Sequence, residues 1–288
     1  MNTIITYPLI FQAIVSIVLL FLWQNVKAQR MVSIIGSAIG LTISIVLFNQ
    51  IWQSGTIAIQ MGNWEAPFGI TLVADTFAVT MVVLAHIVAL AVSLFSTKGI
   101  VASRVKFGYF PIMHFMIMGL SGAFLTGDIF NLYVWFEVII ISSFVLLTIG
   151  GKKAQIEGAV KYFTLNMLAS IIFLTAIALL YGTTGTLNMA ELATIIPEIE
   201  DKGLVKIIAL IFFLAFGVKA GVFPMYVWLP SAYHTPPAAV SSLFGGLLTK
   251  LGVYAIIRVF TMVFPIGLFT YEWIGIVGVL TIISGALG

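Results

Sequence analysis

The sequence predicts an all-α, polytopic bundle of transmembrane helices, with a broken seventh helix and a small external β-hairpin. Three observations predict it. Of the 288 residues, 61% are hydrophobic and only 8% charged, where a soluble domain carries about 25% charged residues. Apolar runs of about 20 residues, the length that crosses the hydrocarbon of a bilayer, recur along the whole chain. Lysine and arginine gather in alternate connections between those runs, the pattern that orients a multi-pass protein.

The runs place helices at roughly 5–23, 31–52, 73–95, 108–126, 129–149, 160–181, 204–229, 238–260 and 271–288. Lys27 and Arg30 follow the first run and no basic residue precedes it, which suits a first membrane helix with its N-terminus outside and not a cleaved leader. Lys98, Arg104 and Lys106, then Lys152, Lys153 and Lys161, fall on the same side as Lys27, whereas the stretches 53–72 and 126–129 hold no lysine or arginine. The basic connections are therefore cytoplasmic. The acidic connection 182–203, with Glu191, Glu198, Glu200 and Asp201, falls outside.

Two connections have structure of their own. Gly55 to Asp75 alternates apolar and polar residues about a Gly-Asn pair and reads as an external hairpin. Leu187 to Ile199 reads as a short amphipathic surface helix. Gly36 and Gly40 match the small-xxx-small spacing of close helix contacts. No linker divides the chain, so residues 1–288 form one integral membrane domain. With no cysteine, disulfides and thiolate metal sites are excluded. The basic residues are scattered among short loops, so a pI near 9.1 implies no nucleic-acid partner; the partner is the lipid bilayer.

Three ionisable residues stand deep in apolar helices: Glu137 in NLYVWFEVIIISSF, Lys219 in LAFGVKAGVFP and Lys250 in SSLFGGLLTKLGVYAIIR. At about 1.5 Å per residue they lie roughly 12, 22 and 18 Å into their helices, near mid-depth. A charge there costs at least about 2.5–3.5 kcal/mol, so all three are expected to face protein or water around one midplane cavity. One reading is a Glu–Lys pair that locks helices together. A second lysine with no second central acid favours the other, a proton relay, because a desolvated lysine readily gains or loses its proton when a neighbouring charge changes.

Pro224 supports the relay. It removes a backbone donor and clashes with the carbonyl of Ala220, breaking the helix beside Lys219, and discontinuous helices at the midplane are where transporters place their ion sites. Gly217 and Gly221 flank the lysine and allow close approach of a helix or water. His234, in SAYHTPPAAVSS, is either a proton entry group near the cytoplasm or an exposed loop histidine. His86 and His114 read as packing histidines, Asp75 and Asp128 as capping or interface residues, and Arg258 as a snorkelling side chain. There is no nucleotide-binding glycine motif, haem or zinc spacing, or nucleophile elbow. These absences imply no cofactor and a transporter in place of an enzyme.

YVWFEV in the fifth helix, FGVKAGVFPMYVWLPSAYHTPPAAVSSLFGGLLTKLGVYAIIRVF across the seventh and eighth, and the closing SGALG resemble the antiporter-like membrane subunits. That superfamily includes the proton-pumping subunits of respiratory complex I and the large subunits of the Mrp multisubunit Na+/H+ antiporter, and the eighth-helix segment is most similar to the D-type large subunits of Mrp. The resemblance implies that Glu137 interacts with Lys219, that Lys250 is the central relay residue, and that 129–260 carries a first proton half-channel. It implies protons and Na+ as the transported ions, other membrane subunits of a hetero-oligomeric complex as partners, and the plasma membrane of a prokaryote as the location. In that family a second, inverted five-helix repeat continues the path, whereas these residues end partway through the ninth helix. Two alternatives stay open: a proton-pumping subunit of a complex I-like or membrane-hydrogenase redox complex, and a scaffolding subunit.

Overall fold

The computed structural model describes residues 2–264 and 272–287. Its helices are α1 (Tyr7–Phe21), α2 (Val26–Ser54), α3 (Thr76–Gly99), α4 (Ala102–Lys106), α5 (Tyr109–Leu125), α6 (Ile129–Thr148), α7 (Lys153–Thr184), α8 (Met189–Ile195), α9 (Lys202–Ala220), α10 (Trp228–Tyr233), α11 (Ala238–Leu243), α12 (Thr249–Met262) and α13 (Glu272–Leu287). A 3-10 turn, Asn2–Thr6, extends α1, and a π turn, Phe244–Leu248, joins α11 to α12. Among the described residues seven helices are long and apolar enough to span a bilayer, and α5 and α13 are shorter apolar helices. The chain is a multi-pass membrane protein. Residues 271 and 288, the ends of the ninth predicted run, lie outside the described residues.

The helices start where short polar side chains take up their free N–H groups. Asn25 accepts from Ala28 N at 3.1 Å, Asp75 from Ala78 N at 2.8 Å, Asp128 from Asn131 N at 2.7 Å and Asp201 from Leu204 N at 3.0 Å. Asp75 and Asp128 are thus caps, in keeping with their positions in the sequence. Helix α5 is buried over most of its surface and packs against α1, α3 and α6; it is hydrophobic all round because it forms the core of the bundle. Helix α7 packs against α6 and α9, and α12 against α9 and α5.

The predicted hairpin is β1 (Ile57–Gln60) paired antiparallel with β2 (Thr71–Ala74), Ile57 opposite Ala74 and Gln60 opposite Thr71. Gly62 and Asn63 both take positive φ, +67° and +59°, which explains the Gly-Asn pair. The amphipathic segment is α8, capped by Asn188 and followed by a 3-10 turn, with Met189, Leu192 and Ile196 buried.

The alternation of the connections is visible as two seams. On one face the hairpin, the 126–128 turn and the start of α8 are joined through their backbones: Gly127 N donates to Thr71 O at 2.8 Å and Met189 N to Gly127 O at 2.9 Å. On the other, Arg30 donates to Ile100 O at 2.9 Å. Arg258 departs from expectation. It does not snorkel: its guanidinium grips Asp75 through both Nη atoms and the Tyr254 hydroxyl through Nε at 3.1 Å. A guanidinium that deep needs an acid beside it, and the acid is the cap of α3.

Candidate functional site at a helix interruption

The seventh predicted helix is two helices. Helix α9 ends at Ala220, and 221–227 are non-helical before α10 begins. The stop is set by Gly221, at φ +69° and ψ 43°, and not by Pro224, which lies inside the interruption. Gly221 N bonds Val218 O at 3.2 Å and Val222 N bonds Gly217 O at 3.0 Å. That pair of reverse bonds is the Schellman motif, in which a left-handed glycine closes a helix. The sequence suggests close packing as the reason for Gly221; its conformation is the larger one. The close approach comes from Gly252, where a Cβ would stand 2.4 Å from Ala220 N. The backbone of α12 therefore rests on the end of α9.

Inside a membrane the backbone groups freed by a break need partners, and side chains supply them. Trp228 Nε1 donates to Val218 O at 2.8 Å, and Phe223 N donates to Thr281 Oγ1 of α13 at 2.9 Å.

Lys219 occupies the last turn of α9, where the helix dipole favours a cation. It is 4% exposed. Its Nζ donates to Ser170 Oγ of α7 at 3.2 Å and lies 4.7 Å from the centroid of the Phe136 ring, a cation–π distance. Glu137, the next residue on α6, makes no ion pair with it; among the described residues the ion pairs are Glu157–Lys161 and Asp75–Arg258. One carboxylate oxygen of Glu137, Oε1, is buried without a hydrogen-bond partner. Beside Lys219 is a cavity of about 20 Å³ walled by Phe136, Tyr162, Asn166, Trp228 and Leu251, room for one water.

That volume corrects the expectation of a single cavity shared by three charges. Glu137 and Lys250 do not line it. Lys250 is exposed, its Nζ donating to Gly245 O and to Thr249 Oγ1 at 3.4 Å. Helix α12 turns its Leu251 toward Lys219 and the neighbouring lysine away. His234 is exposed at the end of α10, with Nδ1 donating to Pro230 O. It borders a separate polar cavity of about 130 Å³ with Glu157, Lys161, Ser231 and Thr235, on the face that carries the basic connections.

Sequence reasoning missed Ser170, Asn166, Tyr162 and Thr281. For the first three a signal existed: 162, 166 and 170 are spaced by four, which puts them in one polar stripe along a face of α7. Thr281 had none, because its partner is a backbone group.

Together these features define a multi-pass membrane protein with an ammonium buried at a helix interruption. Residues 126–288 match the family described as NADH:quinone oxidoreductase/Mrp antiporter, TM, and the chain belongs to that family. It is similar over its whole length to the D-type subunits of the Na+/H+ antiporters of Alkalihalophilus pseudofirmus, at 44% identity, and of Bacillus subtilis, at 41%; it spans 59% of each. A chain of the Mrp complex from a Dietzia species superposes with a TM-score of 0.82 at 28% identity, covering 91% of this chain and 49% of that one. A chain of an archaeal respiratory complex, the membrane-bound sulfane sulfur reductase, gives 0.84 at 29% identity, covering 88% and 52%.

Proposed function

We propose that this chain belongs to a subunit of a multisubunit Na+/H+ antiporter in a prokaryotic plasma membrane, and that residues 129–260 carry protons. It works as a transporter subunit beside other membrane subunits. The observation that carries the reading is Lys219: an ammonium with no acid in contact, held by one hydroxyl and one aromatic face at a helix end. Such a group is poorly compensated when charged, and its proton is labile.

In this mechanism protons enter from the basic face near His234 and reach Lys219 by way of the Tyr162 hydroxyl and the water-sized cavity beside it. Lys219 alternates between Ser170 and Glu137. When it is released from Glu137, like-charge repulsion drives a proton toward Lys250, and sodium leaves against the proton flow. Pro224 keeps the interrupted segment from closing into a helix.

The test is sodium-dependent proton exchange in everted vesicles carrying the complete complex. Glu137→Ala and Lys219→Ala should each abolish exchange at normal assembly; full activity in both would end the reading. The likeness to the sulfane sulfur reductase chain supports a second reading, a proton-moving subunit of a redox-driven complex. Sodium resistance conferred on a sensitive host favours the antiporter, and quinone reduction by the purified complex favours the redox reading.

A further inference from the structure

Remote from Lys219, a second set of polar side chains is buried among α1, α2, α3 and α5. Ser37 Oγ lies 2.7 Å from Ser93 Oγ, which lies 3.2 Å from Ser33 Oγ. Ser33 Oγ lies 2.9 Å from His114 Nε2, and His114 Nδ1 lies 2.7 Å from Gln12 Oε1. On α3, His86 Nδ1 lies 2.9 Å from Val82 O. Each of these side chains is fully buried.

The acceptors fix the protons. A carbonyl only accepts, so Nδ1 of each histidine carries its hydrogen, His114 toward Gln12 Oε1 and His86 toward Val82 O. Nε2 of His114 then accepts from Ser33, and the hydroxyl chain behind it runs in one direction, from Ser37 through Ser93. Two atoms are left over. Gln12 Nε2 is a donor with no acceptor, and His86 Nε2 is an acceptor with no donor. Both converge on Gly40: a Cβ there would stand 2.3 Å from Gln12 Nε2 and 3.2 Å from His86 Nε2. By addition the two nitrogens are no more than about 5.5 Å apart, a span that one water covers with two bonds of about 2.9 Å.

We propose that Gln12 Nε2 and His86 Nε2 hold one water molecule against Gly40, completing a one-directional hydrogen-bonded chain that clamps α1, α2, α3 and α5. The water accepts from the amide and donates to the imidazole. This matches the two leftover atoms, whereas a metal cation would be repelled by the amide hydrogens. Glycine is required because a Cβ at 40 would press on the Gln12 amide nitrogen and the His86 ring and displace the pair that holds the water. The chain is a clamp and not a proton path, because the Gln12 amide in its middle does not pass a proton along and the far end stops at Val82 O.

The test uses the complete assembled complex. A map at a resolution that reveals waters should contain one within hydrogen-bond distance of both nitrogens; well-ordered side chains with no density between them, or in direct contact, would overturn the proposal. Gln12→Met and His86→Met should each lower the thermal midpoint of the complex by several degrees. The double variant should lose clearly less than the two single losses combined, since both release the same water. Additive losses would overturn the shared site. Exchange per assembled complex should be unchanged in Gln12→Met; lost exchange at a normal midpoint would show a proton path instead.

Discussion

The Lys219 ammonium rests on the Ser170 hydroxyl, 3.2 Å away, and on the face of Phe136, while Glu137, the very next residue after that phenylalanine, stays out of contact. The lysine and the acid expected to pair are thus separately housed, although Glu137 adjoins the phenylalanine that the lysine covers. The proposed alternation between two partners needs two such positions, and Ser170 would be the first of them.

Ser170→Ala removes the partner of a buried charge, an interaction of about 1.5–3 kcal/mol. Exchange in everted vesicles should fall by roughly 10-fold or more at equal assembly, with Ser170→Thr restoring most of it. A purely structural Ser170 would lower assembly and leave exchange per complex unchanged.

Gly252→Ala places a methyl group against the backbone of Ala220, which has no flexible end to yield. Overpacking of this kind costs about 1–3 kcal/mol. A lower thermal midpoint is expected, with reduced exchange because α9 and Lys219 are displaced.

Asp75 offers a pH test away from the relay. Burial alone would raise its carboxyl, but the Arg258 hydrogen bonds, the Ala78 N–H and the guanidinium charge leave it below the ordinary value. Because the folded chain holds the carboxylate more tightly than the unfolded one, the contribution is complete above about pH 4. It fades as pH falls through the lower folded value. The midpoint difference between the parent and Asp75→Asn should therefore be constant near neutrality and shrink only in acid. Arg258→Ala, which strands a partly buried acid, should cost more than Asp75→Asn.

Thr281→Val leaves Phe223 N–H without its acceptor, costing about 1–3 kcal/mol. Hydrogen exchange at 221–227 should quicken while α9 above Gly217 stays protected; equal protection in both proteins would mean another acceptor replaces the threonine.

Much of the architecture was legible because bilayer length and charge placement act on long, uniform segments, and the alternation of Lys27, Arg104 and Lys152 survives any error at helix ends. Lys219, Glu137 and Lys250 could be found because a charge among apolar residues is conspicuous. Their separation was not legible. Whether Lys250 or Leu251 turns inward depends on the rotation of α12, which the π turn at Phe244–Leu248 resets by part of a residue. The Schellman stop was hidden because proline draws attention as the breaker, yet Gly221 halts the helix three residues earlier. Arg258 looked free to reach water because its partner lies on α3, far away in sequence.

The backbone bonds running Thr71–Gly127–Met189 stitch the tops of α3, α6 and α8 into one strap. These two backbone bonds hold that end where the Arg30–Ile100 bond holds the other, so any breathing that lets water approach Lys219 is expected to open from the side where His234 sits, with the strap as its pivot.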